Sequence, residues 1–169
     1  IDAGKDVGLD MFASINTMVA GYNCPYGLGP VGPIYEGKID EEWATIVNTS
    51  DGLVSTMDLG TGAKFLNPAN DDVVEYLLGI LEDLAKYDLT GIILDRCRYD
   101  DNDLMSDFSD VSRAKFEEYI GKGVTNWPGD IFAPGVNSIS RVSALQRQWM
   151  TFRAKVIHDF VEKASNKVH

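Results

Sequence analysis

Two short apolar runs set the rhythm of the chain. Leu9 to Asn16 (LDMFASIN) alternates only weakly and carries apolar side chains on both faces, which suits a buried parallel strand better than an exposed hairpin. Thr90 to Asp95 (TGIILD) is apolar until its last residue, so it reads as a strand that must be covered on both faces. Between them, Ile39–Asn48 and Leu53–Asp58 flank the turn-prone string TSDG and predict a small β-hairpin insertion.

Helical spacing appears three times. Apolar residues at 73, 74, 77, 78, 81, 84 and 85 form one stripe, preceded by Asn67 or Asn70 as cap, Pro68 in the first turn and Asp71 and Asp72 against the helix dipole. A shorter helix capped by Ser109 or Ser112 ends near Gly121. The longest runs from about Arg141 to Lys167, with apolar positions 145, 149, 152, 156, 157, 160, 161 and 164 on one face. The segment Thr17 to Gly37 is rich in Gly, Pro and Tyr and reads as a long irregular loop of the kind that carries function.

Strand, long loop, helix, strand, long loop, helix is the order of a parallel α/β protein. Only two core strands stand out, and two parallel strands neither close a barrel nor make a stable open sheet. The opening IDAGKDVGLD reads as the end of a helix entering a strand, with no initiating Met. The expectation is therefore an excised piece, with any leader or lipid anchor outside it, and exposed strand edges that promote a homodimer.

Composition narrows the partners. The chain has 169 residues, 44% of them apolar, and a formal net charge of −11, which would repel a phosphate backbone and sets nucleic acid aside. No apolar run approaches the ~20 residues that span a bilayer. Cys24 and Cys97 are too few for a disulfide scaffold and lack zinc-ligand spacing, so both are expected as small buried thiols, with a bridge between them the less favoured alternative. His158 and His169 are expected on the surface.

In parallel sheets ligands sit beyond the carboxyl ends of the strands, which here are Asn16 and Asp95. Asp95 is followed by Arg96, Arg98, Tyr99 and Asp100, so carboxylates, guanidinium groups and a phenol lie within a few residues. An adjacent Arg holds a carboxylate ionised, as a nucleophile or transition-state stabiliser requires, while an ion pair or a turn cap is the plainer use of the same residue. Tyr22, Tyr26, Tyr35, Tyr99 and Trp127 offer flat platforms for sugar rings, although most aromatics serve as core. The acidic run Asp100-Asp101-Asn102-Asp103, with Asp107 and Asp110, lacks the glycine and terminal Glu of a calcium loop. Neither a metal nor an organic cofactor is expected.

The string FLNPANDDVVEYLLGILEDLAKYDLTGIILDRCRYDD resembles the bacterial glycosyl-hydrolase-like 10 family of (β/α)8 barrels. The parts that carry the resemblance are Leu66-Asn67-Pro68, Tyr87-Asp88-Leu89-Thr90-Gly91-Ile92, and Leu94-Asp95 with Tyr99, and it extends over most of residues 65–165. It departs at Thr90, Arg96 and Arg98. The resemblance implies an α/β fold that is a partial TIM (β/α)8 barrel, residues 1–169 covering about strands three and four with their helices. It further implies an extracytoplasmic glycoside hydrolase acting on a bacterial or dietary polysaccharide, with Asp95 catalytic. Asn16, Tyr22, Asn67, Arg96, Arg98, Tyr99 and Asp100 would then bind the carbohydrate. The second carboxyl group that hydrolysis needs would come from a later strand, so the piece alone is expected to be inactive. A non-catalytic glycan-binding module and a metal-dependent hydrolase using the Asp100–Asp110 loop are the alternatives.

Overall fold

The computed structural model describes residues 1–24, 26–27, 29–60, 62–100, 106–132 and 142–169. In chain order these form α1 (Asp2–Lys5), β1 (Phe12–Asn16), β2 (Val19–Cys24), β3 (Gly29–Val31), a 3-10 turn (Glu41–Trp43), β4 (Ile46–Thr49), β5 (Gly52–Ser55), β6 (Gly62–Phe65), α2 (Asp71–Leu84), β7 (Gly91–Asp95), α3 (Asp110–Ile120) and α4 (Ala144–Val168).

β1 and β7 pair in parallel, from Phe12 opposite Gly91 to Asn16 opposite Asp95. The strand period of two turns Ile15, Ile92 and Leu94 towards α2 and α4, while Phe12, Ser14, Asn16, Ile93 and Asp95 remain exposed. The apolar content of these runs thus covers one face only. β2 is the centre of an antiparallel sheet in the order β3-β2-β6, and β4 and β5 make a separate hairpin.

This corrects the partial (β/α)8 barrel. A barrel needs its strands parallel in one sheet, and among the described residues only β1 and β7 meet that condition. Much of the segment expected as an irregular loop is instead ordered by pairing: β2 takes β3 on one side and β6 on the other. Gly32 sits where this sheet turns, and a Cβ there would lie 2.6 Å from the Gly21 Cα and 2.7 Å from the Ala20 carbonyl oxygen. Among the described residues the protein is a small α/β fold of one parallel pair and two antiparallel sheets, with α2 and α4 packed on the inward face of the parallel pair.

The helices start where side chains can satisfy their first amides. Asn70 accepts from the Asp72 amide at the head of α2, and Ser109 accepts from the Ser112 amide at the head of α3. At α4, Ser143 and Gln146 exchange hydrogen bonds in a capping box. Gly121 ends α3 in the left-handed region (φ 68°), where its amide and that of Lys122 reach back to the Glu118 and Glu117 carbonyls.

Two apolar centres hold these elements. Val73, Val74, Leu77 and Leu81 of α2 meet Phe160 and Ala164 of α4 above Met18, Phe65 and Leu66. The second is aromatic: Trp149 is fully buried, stacks on Phe108 at 5.2 Å and receives the edge of Phe116 at 5.0 Å.

Candidate functional site

The parallel register brings Asn16 and Asp95 side by side at the carboxyl end of the two strands. Both are exposed. The Asp95 carboxylate accepts the Arg96 amide at 2.8 Å, and its main-chain carbonyl accepts the Thr17 amide at 2.8 Å, which fixes the tip. Arg96 occupies the left-handed region (φ 50°), a conformation that costs a residue with a Cβ about 1–2 kcal/mol. Arg98 then lies over the Phe65 ring, 5.3 Å from its centroid, and donates to the Tyr99 carbonyl.

The remaining expected site residues do not join this group. Tyr99 is buried with the Arg153 guanidinium 4.0 Å above its ring. Asp100 is buried and accepts hydrogen bonds from the Thr45 and Ser106 hydroxyls, both at 3.0 Å. Asn67 is buried too: its Nδ2 donates to the Ser109 hydroxyl at 3.0 Å and its Oδ1 accepts the Ala69 amide at 2.8 Å. These three side chains are engaged in holding loops to the core. Tyr22 is exposed on β2, opposite Val31 and Ala63. Of the aromatic platforms, Trp127 belongs to the aromatic core and donates its indole N–H to the Phe108 carbonyl, while Tyr26 stands free in solvent.

Two further buried ionisable groups fasten the fold: Asp107, named in the sequence only beside the acidic run, and Lys64, which the sequence reading did not single out. Asp107 is fully buried; its Oδ1 accepts the Ile46 amide at 2.5 Å, and its Oδ2 accepts the Ser109 amide, the Ser109 hydroxyl and the Ser112 hydroxyl. Burial pushes its carboxyl pKa up, against the pull of these donors. Lys64 is 1% exposed, and its ammonium donates to the Thr56, Leu59 and Gly60 carbonyls at 2.6, 2.9 and 3.2 Å. Burial lowers its pKa, partly countered by Asp58. Lys64 alternates with Ala63 and Phe65 in β6, a pattern that says which face it shares but not that its charge would be matched by carbonyls.

The acidic run's Asp101, Asn102 and Asp103 lie outside the described residues. Among the described residues, His158, Asp159 and Glu162 on α4 bring ligand atoms within 4.8 Å of one another, but Asp159 already holds the Lys155 ammonium at 2.6 Å. His158 and His169 are exposed. Cys24 and Cys97 are free thiols, and burial raises the Cys97 pKa away from reactivity. No helix among the described residues is long and apolar enough to cross a membrane.

No family model matches the chain. It is 32% identical over 166 residues to an S-layer-related protein of Niallia circulans, an alignment that takes in 94% of this chain and 10% of that protein. The chain thus spans about one tenth of the length of the curated relative it matches. These findings correct the glycosyl-hydrolase-like 10 resemblance and, with it, the polysaccharide-cleaving function and its amylase-type and hydrolase descriptions: the strings at 66–68 and 87–95 fix a helix start and a strand covered on one face, features that are not specific to a hydrolase.

Proposed function

We propose that this chain is an architectural segment of a cell-surface protein, related to the S-layer-related protein it resembles. The observation that carries the reading is that similarity, which runs through 94% of the chain rather than through one motif. The placement of the polar groups supports it. Asn67, Asp100, Asp107 and Lys64 are all drawn inside to fasten loops onto strands and helices, the use a rigid scaffold makes of buried polar side chains.

On this reading Asn16, Asp95 and Arg96 form a fixed polar corner by which the segment contacts its surroundings through hydrogen bonds. The net charge of −11 keeps the remaining surface hydrated. Residues 1–169 act as one unit, joined by α4, which reaches both apolar centres. The reading includes neither a carbohydrate ligand nor a homodimer.

Cell fractionation tests it. Protein carrying this segment should travel with the cell envelope and be cut by protease added to intact cells at the exposed Tyr26–Gly27 turn. Recovery in the cell interior, uncut until lysis, would refute the proposal.

A further inference from the structure

β7 pairs with β1 along one edge, and among the described residues no strand pairs with the other edge. A groove of about 420 Å³ between β7 and the helices has walls that include Leu84 and Tyr87, Ile92 and Leu94 of β7, and Val161 and Val168 of α4. The last turns of α4 and the inward-facing residues of β7 therefore line the same open space. An open strand edge offers a row of unpaired amides and carbonyls, and it is the part of a sheet that accepts another strand. Apolar walls beside it are what an incoming strand needs for the side chains of one face.

We propose that an extended segment of the same, longer polypeptide docks in this groove and adds to the sheet at the β7 edge. Three observations select that occupant. The edge and the apolar walls suit a strand. A second copy would bring another net charge of −11 against the first. In the relative that contains the matching stretch, nine tenths of the polypeptide lies outside it. The further strand covers Val161 and Tyr87, which are 43% and 60% exposed without it. This inference rests on the groove and not on the cell-surface reading, so either can fail alone.

Hydroxyl-radical footprinting of the longer polypeptide tests the docking, with Tyr26, 90% exposed, as internal reference. Tyr87 is expected to react at least about fivefold more slowly than Tyr26 once the strand covers it. Val161→Lys, which puts a charge in the groove without touching the buried core, should return Tyr87 to a rate near that of Tyr26. A Tyr87 rate close to that of Tyr26 in the wild-type polypeptide would overturn the proposal, whatever the variant does. So would protection that appears only on raising the protein concentration, because the occupant would then be a second copy.

Discussion

The Asp107 carboxylate receives the Ile46 amide at 2.5 Å across sixty-one positions of sequence, and so ties the head of α3 to β4. The same carboxylate accepts from Ser109, the cap of α3, and from Ser112 in its first turn. Replacing Asp107 with Ala strands two amides, those of Ile46 and Ser109, and two hydroxyls. Each such loss costs about 1–3 kcal/mol, and partial rearrangement of the hydroxyls sets the expected destabilisation at roughly 3 kcal/mol in urea unfolding.

The same group gives a pH dependence. Burial raises the folded-state pKa of Asp107 above the ordinary 3.8, so the folded protein holds this proton more tightly than the unfolded chain. Its contribution to stability is therefore fullest below that value and declines as pH rises through the folded-state pKa. Asp107→Asn should remove this segment of the stability–pH curve. An unchanged curve would show that the carboxyl ionises in the fold as it does in the unfolded chain.

Lys64 should behave as an internal strut. Its ammonium satisfies three carbonyls of the 56–60 loop, so Lys64→Met should cost about 2–4 kcal/mol, the range for uncovering buried acceptors that faced a charged donor. In the folded protein Lys64 should resist an amine-reactive reagent that readily modifies Lys38 and Lys86, whose side chains are 69% and 68% exposed.

Arg96 holds a strained backbone. Glycine removes the penalty of the left-handed conformation but loosens the unfolded chain, so Arg96→Gly should change stability by no more than about 0.5 kcal/mol. Arg96→Val, with a branched Cβ in that region, should destabilise by about 1–2 kcal/mol or more. Thermal melts of the two variants distinguish this from a role resting on the guanidinium, in which both would lose stability alike.

Local features were the most legible in the sequence. The stripe from Val73 to Leu81 and the end of α3 near Gly121 follow from rules that act within one turn, while the choice of Asn70 over Asn67 and of Ser109 over Ser112 as caps came only with the structure. The last helix was expected from about Arg141 and begins at Ala144, while Arg141 itself lies outside the described residues. The runs LDMFASIN and TGIILD mark β1 and β7, but their apolar character does not reveal that one face stays exposed. The antiparallel partnership of β2 with β3 and β6 was hidden behind Gly and Pro, whose turns bring together strands about forty residues apart. At the candidate site, Asn16 and Asp95 could be placed because strand ends are readable. Asn67, Tyr99 and Asp100 could not, since the same polar residue serves a ligand or a buried loop according to what the tertiary fold sets against it.

The central claim, an architectural segment displayed at the cell surface, is tested most directly by labelling intact cells with an amine reagent that does not cross membranes, then locating the modified lysines. The account expects Lys38 and Lys86 to be modified before lysis, with Lys64 spared until the protein is unfolded. Lys38 and Lys86 left unmodified on intact cells, yet labelled in the lysate, would contradict it.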